Sequence, residues 1–214
     1  SLNLPSGNVL TVFEDRAGNI WLGMYQAGLA KITSDGKITL LDEKDGLGDN
    51  SIWCIAENPA GELFFGTNDN GIACYDGNKF TTINTSNGLC SDLVYAMAID
   101  KENLIWAGTN KGVNRISLGD NFTPVAIKYF GEKEGLRGTE VSQHCMYIDK
   151  NNMLWMGTEN GLIRYNPVYD YVNDSPPKLQ LNTIRFNYQI VDWTIYVDSV
   201  DGRTLLPVNP VLSY

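Results

Sequence analysis

Few residues in this sequence have the types and spacing that chemistry requires. His144 is the only histidine among 214 residues, so a histidine cluster for zinc is out of reach. Four cysteines, Cys54, Cys74, Cys90 and Cys145, form no CxxC pair and sit at no metal-like spacing. They read as small buried core residues. A disulfide would require an exported protein, and the sequence assigns no pairing. No GxSxG, HExxH or phosphate-cradling glycine loop occurs. The 25 Asp and Glu leave a glycosidase carboxylate pair open by count alone. Asp15, Asp100 and Asp149, however, recur in phase, which marks them as turn residues. No catalytic residue, metal ion or cofactor is therefore expected. Recognition is better provided for. The candidate ligand-binding set is Tyr25, Gln26, Asp49, Asn50, Trp53, Asn68, Asp69, Tyr95, Asn110, Lys111, Arg137, His144, Glu159 and Asn160. Amides and carboxylates hydrogen-bond sugar hydroxyls, and aromatic faces stack on the apolar face of a pyranose. Polar loops are also common without any ligand, and that plainer reading stands beside the first.

The elements that position these residues follow from a repeat. The run Asp15-Arg-Ala-Gly-Asn-Ile-Trp21-Leu-Gly23 has three echoes, closing on Phe64-Phe-Gly66, Trp106-Ala-Gly108 and Trp155-Met-Gly157. The closing glycines are 43, 42 and 49 residues apart. A second glycine follows each (Gly28, Gly71, Gly112, Gly161), and Gly46-Leu47, Gly88-Leu89 and Gly135-Leu136 precede the later copies. Each copy reads as four short strands, with a tight Asp/Asn turn between the first two. Gly or Asn three residues into that turn tolerates positive φ. Four antiparallel strands at this period predict propeller blades. The 49-residue spacing is ascribed to a longer outer loop around Gly119–Pro124. The aromatic column Trp21, Phe64, Trp106, Trp155 is expected to fill the gap between blades. Counting five residues back from each turn residue gives Leu10, Trp53, Tyr95 and His144. A column with those four members is a packing or channel-lining position, and a structural histidine is the favoured reading. The loops into the first strand and between the second and third emerge on one face of a propeller. That face carries the candidate set.

The pattern D-x-x-G-N-hydrophobic-W-hydrophobic-G resembles the two-component regulator propeller repeat. Residues 1–167 hold four copies, the first nearly ideal; the second has Asn58 for Asp and Phe64 for Trp, and the third and fourth have Asn103 and Asn152 for Gly. The resemblance implies four blades of a seven-bladed propeller. It also implies a Pro-containing linker at 168–177 and, at 178–214, the beginning of an immunoglobulin-like β-sandwich with a triple-tyrosine motif, opening at Ser175-Pro-Pro-Lys-Leu-Gln-Leu. Strands are expected over 179–186, 194–198 and 203–206. Such repeats form the extracytoplasmic sensor half of Bacteroides-type hybrid two-component regulators. The resemblance thus implies a periplasmic fragment that binds glycan-derived oligosaccharides. The membrane helix and histidine kinase would lie elsewhere in the full-length protein, and the output would be polysaccharide-utilisation genes. Two alternatives remain. One is a structural or protein-interaction propeller. The other is a propeller lyase of the streptogramin lyase type, which would need a catalytic histidine beside metal-binding acids.

Composition agrees with an all-β class. Gly is 21 of 214, charged residues are only 19%, and no window has a helical period. With 16 basic and 25 acidic residues the net charge is −9, which disfavours nucleic acid and anionic membranes as partners. A local Lys111 or Arg137 patch leaves room for an acidic sugar. No apolar run approaches a membrane span, and Ser1–Pro5 lacks the features of a signal peptide. With no initiating Met, the chain reads as a processed or excised piece. Four blades leave two open ends, so self-association, two copies meeting edge to edge, is expected.

Overall fold

The computed structural model describes residues 8–167, together with the backbone of 185–186 and 189–190. The chain divides into two compact units, Ser1–Asp170 and Tyr171–Tyr214. In the first, blade 1 is β1 (Val9–Glu14), β2 (Ile20–Met24), β3 (Leu29–Ile32) and β4 (Ile38–Leu41). Blade 2 is β5 (Ile52–Glu57), β6 (Leu63–Thr67), β7 (Ile72–Tyr75) and β8 (Phe80–Ile83). Blade 3 is β9 (Val94–Ile99), β10 (Ile105–Thr109), β11 (Gly112–Leu118) and β12 (Pro124–Phe130). Blade 4 shows β13 (Val141–Ile148), β14 (Leu154–Thr158) and β15 (Gly161–Tyr165); its expected fourth strand lies outside the described residues. Each sheet runs in sequence order with antiparallel neighbours. The first strands pack on one another, β1 on β5, β5 on β9 and β9 on β13, so they are the innermost, around a common axis.

The turn between the first two strands explains the recurring acid. Oδ1 of Asp15 accepts the backbone N–H of Ala17 and of Asn19, and Oδ2 accepts the indole N–H of Trp21 at 2.8 Å. Asp100 repeats this with Glu102, Leu104 and Trp106, and Asp149 with Asn151, Met153 and Trp155. Blade 2 breaks the pattern at both ends together. Phe64 has no N–H to donate, and the acid is replaced by Asn58, whose amide donates instead to Glu62 Oε2 at 2.6 Å. Asn103 and Asn152 adopt positive φ (62° and 63°) where blades 1 and 2 use Gly18 and Gly61, as expected.

The first three rings of the aromatic column pack in one direction, each onto the following blade. Trp21 lies 5.4 Å from Phe65 and 6.0 Å from Tyr75 of blade 2. Phe64 enters a cluster with Val94, Ile105 and Ile116 of blade 3. Trp106 lies 5.0 Å from Tyr165 of blade 4. The glycine two residues after each ring receives the first residue of the next inner strand. A Cβ on Gly23 would lie 2.9 Å from Ile52 Cγ2, one on Gly66 2.8 Å from Val94 O, and one on Gly108 2.6 Å from Val141 Cγ1. Between blades, a single 3-10 turn (Glu43–Asp45, Thr85–Asn87, Glu132–Glu134) ends on a left-handed glycine. Gly46 has φ 94°, and the next N–H, that of Leu47, reaches back to Asp42 O. The leucine that follows (Leu47, Leu89, Leu136) is buried.

Three expectations are corrected. The 119–123 connection is not merely an outer loop: Phe122 is buried and meets Phe64 of blade 2 edge-on at 5.8 Å. Only two of the four cysteines are core residues. Cys54 and Cys74 are buried, and burial pushes the Cys54 thiol up to about 12, whereas Cys90 is half-buried and Cys145 exposed. The third correction concerns His144 and belongs to the site below. In the second unit the described backbone is one antiparallel pair, β16 (Arg185–Phe186) with β17 (Gln189–Ile190). The linker at 168–177 and the strands expected at 194–198 and 203–206 lie outside the described residues. Among the described residues no helix is long and apolar enough to cross a membrane.

Candidate ligand-binding site

Two sets of loops meet at one end of the axis, as the repeat requires. The loop between the second and third strands bonds to the loop that leads into the next blade's inner strand. Gly28 N donates to Asn50 O at 2.8 Å and Gly71 N to Asp92 O at 2.7 Å. Gln26 N also donates to the hydroxyl of Ser51. Within a blade the two loops bond directly, through Tyr25 N to Asn8 O, Asn68 N to Ser51 O and Glu159 N to Glu140 O.

Much of the candidate set is occupied in holding these loops. Asp49 accepts from Ser51 N and Asp69 N, and Asn50 Oδ1 accepts from Glu43 N. Asn110 Oδ1 accepts from the Ser91 hydroxyl, and the Glu159 carboxylate accepts from Thr139 N and Glu140 N. Asn160 N donates to Thr158 Oγ1. The side chains of Asp49, Asn50, Asn110 and Glu159 present fewer free groups than their polarity promises. Tyr25, Gln26, Asp69, Lys111, Arg137, Glu159 and Asn160 are exposed on this rim.

The structure does bring a compact group together at the axis. Each inner strand bulges at its upper end: Leu10, Trp53 and Tyr95 are single residues squeezed out of the ladder to the second strand. Trp53 and Tyr95, from adjacent blades, meet edge-on at 5.8 Å, and the Trp53 indole donates to Asn68 Oδ1 at 3.2 Å. Both residues are half-buried. Burial raises the Tyr95 phenol above its usual value, and the nearby Glu140 carboxylate raises it further.

Blade 4 departs from the other three here. Its ladder breaks between Val141 and Met146. Three residues, Ser142, Gln143 and His144, occupy the place that Trp53 or Tyr95 fills alone. All three are exposed, and His144 has φ 56°. His144 is therefore not a packed structural histidine. Counting back from the turn does align it with Trp53, but it stands in a bulge two residues longer and is exposed. The signal was in the spacing: 11 residues lead from Leu47 to Asn58 and from Leu89 to Asp100, but 13 from Leu136 to Asp149. Sequence reasoning assigned the whole excess of that repeat to the outer loop, and so passed over Ser142 and Gln143. It also passed over Ser51, Ser91 and Glu140. No group of three His, Cys, Asp or Glu side chains among the described residues is placed to hold a metal ion.

The two component regulator propeller family matches at residues 3–26, 46–69, 88–111 and 135–160. No curated protein matches the sequence. Among solved structures, the chain is similar to the extracellular domain of a hybrid two component system from B. thetaiotaomicron, with a TM-score of 0.65 and 21% identity over 74% of this chain and 22% of that one. It is also similar to virginiamycin B lyase from Staphylococcus aureus, with a TM-score of 0.57 and 18% identity over 79% of this chain and 59% of that one. A third likeness is to PorZ, a surface component of the type-IX secretion system of Porphyromonas gingivalis, with a TM-score of 0.59 and 16% identity over 77% and 26%. At these identities the likeness is one of fold, and the chain spans less than two thirds of each structure's length. Each of the four family matches opens ahead of an inner strand, runs through its Asp/Asn turn and closes past its Gly-bearing second strand. Over residues 3–160, then, the chain belongs to the two component regulator propeller family.

Proposed function

We propose that this chain is part of the extracytoplasmic ligand-sensing region of a hybrid two-component regulator. On this reading it binds glycan-derived oligosaccharides on the loop face around the axis. The observation that carries the ligand class is the Trp53–Tyr95 pair. Two half-buried aromatic residues meet where the inner strands bulge, with Asn68 bonded to the Trp53 indole and the exposed Ser142–His144 bulge at the same level of blade 4. Aromatic platforms ringed by hydroxyl-bonding groups suit a pyranose. The family membership supports the sensor role, and the kinase and membrane helix then belong to other parts of the full-length protein. The same family favours a binding domain over an enzyme.

Calorimetric titration against a panel of neutral and acidic oligosaccharides tests this. Saturable binding is expected, and Trp53→Ala should weaken it roughly tenfold, about 1.4 kcal/mol. No saturable binding to any oligosaccharide, with the chain folded by circular dichroism, would leave the propeller as a protein-interaction module.

A further inference from the structure

Each inner strand has one place near its loop end that lies outside the ladder, and the blades fill it differently. Leu10, Trp53 and Tyr95 stand there singly in blades 1 to 3. Blade 4 gives the place to Ser142, Gln143 and His144, because its ladder breaks between Val141 and Met146. This insertion lies between two paired residues of β13, and the longer spacing from Leu136 to Asp149 shows it in the sequence too. β13 comes close to β5 as well as to β9. Inner strands of alternate blades approach each other only across the axis. The insertion and Trp53 are therefore carried by strands that line one channel.

Such a bulge has a cost. His144 takes φ 56°, in the left-handed region that residues with a side chain enter at some expense. Bulges are frequent beside active sites, where they re-aim side chains, and strained backbone clusters at ligand clamps. The polar groups open to a ligand are also unevenly spread. Leu10 has none, and the Trp53 indole N–H is taken by Asn68. On the surrounding loops the carboxylates of Asp49, Asp92 and Glu159 each accept two hydrogen bonds. Among the described residues, the side chains of Ser142, Gln143 and His144 have no such partner.

We propose that the Ser142–His144 insertion sets which sugar the site accepts, the Gln143 amide and the His144 ring bonding hydroxyls of a ligand seated on Trp53 and Tyr95. This rests on the oligosaccharide reading above and adds a division of labour to it. An aromatic face stacks on any pyranose, so the Trp53–Tyr95 pair supplies affinity with little choice. A side chain placed to bond one hydroxyl is left unpaired by the epimer that lacks it there, and so rejects that epimer.

Calorimetric titration of the full chain with gluco-, manno- and galacto-configured oligosaccharides and their uronic-acid counterparts tests this. The wild-type chain should prefer one epimer over another by roughly tenfold or more. Gln143→Ala and His144→Gly should each cut that ratio by about threefold or more, while the preferred sugar still binds. Glycine suits φ 56°, so His144→Gly removes the ring without straining the strand. Deleting Ser142 and Gln143 restores the spacing of blades 2 and 3 and should abolish the preference. Trp53→Ala should weaken all the sugars by a similar factor and leave the ratio standing. Three results would overturn the proposal with the oligosaccharide reading intact. A wild-type chain that binds all epimers alike would leave no choice to explain. A ratio that survives both point variants, or binding that falls equally for every sugar, would make the insertion structural. Loss of the ratio in Trp53→Ala alone would give the choice of sugar to the rings. Failure of the wild-type chain to bind any of these sugars would overturn the oligosaccharide reading itself, and this proposal with it.

Discussion

At the residue scale, the chain shows why two positions six residues apart vary together. A carboxylate in the turn has two oxygens to satisfy. One takes two backbone N–H groups and the other takes an indole N–H, in blades 1, 3 and 4 alike. Where the ring is Phe64, the second oxygen would be buried without a donor, and Asn58 replaces it with an NH2 that finds Glu62. Asp100 and Trp106, both buried, are the cleanest place to test this. Asp100→Asn puts a donor against a donor and should destabilise the chain by about 1–3 kcal/mol in urea unfolding. Trp106→Phe leaves the carboxylate unpaired and opens space. The double variant removes both the donor–donor contact and the unpaired carboxylate, although Leu104 stands where Glu62 accepts in blade 2, so its loss should fall short of the sum by about 1 kcal/mol. Strict additivity would mean the two side chains do not share a hydrogen bond that matters.

At the element scale, the unit of stability is the junction between blades. Each junction buries a ring and admits a neighbouring strand over a glycine. Backbone cannot retreat as a flexible side chain can, so the glycines differ in what they tolerate. In Gly66→Ala the new methyl would press on Val94 O and on the Cys54 thiol, and a loss of about 1–3 kcal/mol is expected. In Gly157→Ala the methyl meets, among the described residues, only Cys145 of its own blade, Cβ at 3.0 Å and Sγ at 3.4 Å. Measured at low protein concentration, that variant should lose well under half as much. Equal losses would show that strand propensity, and not the close approach of the next blade, sets the requirement. The inner-strand bulges belong to this scale too. They turn one residue per blade toward the axis, and the longer bulge of blade 4 presents three.

At the scale of the whole molecule, charge and pH act together. The chain carries a net charge of −9, and several carboxyls sit below their usual 3.8. Burial raises Asp15, but hydrogen bonds from Asn19, Trp21 and the turn backbone outweigh it. The Trp155 indole lowers Asp149, the Thr33 hydroxyl lowers Asp35, and the backbone N–H groups of Lys79 and Asn78 lower Asp76. A carboxyl with a depressed folded value stabilises fully above its unfolded value. That contribution is lost as pH falls through the folded value, because the unfolded chain binds the proton first. Urea midpoints should therefore decline below about pH 4. Asp15→Asn should lower the neutral-pH midpoint and flatten the decline. A midpoint that climbs on acidification below 3.8 would contradict this assignment.

Sequence alone determined the blades. The in-phase Asp, Trp and Gly positions name the turns, the junction rings and the slots, because each does a local job at a fixed offset. A propeller repeats that job at every blade. Spacing also put the two loop sets on one face. Tertiary structure decided what the loop residues do. Asp49, Asn50, Asn110 and Glu159 read as ligand contacts by type, yet they hold backbone N–H groups or a neighbouring hydroxyl, partners a linear reading cannot assign. Tertiary structure also placed the extra residues of blade 4 in a bulge at the axis, since a strand can lengthen there without breaking its outer pairing. Equivalent residues in a repeat look alike in sequence, and only the packing of each blade on its neighbour shows which of them are covered.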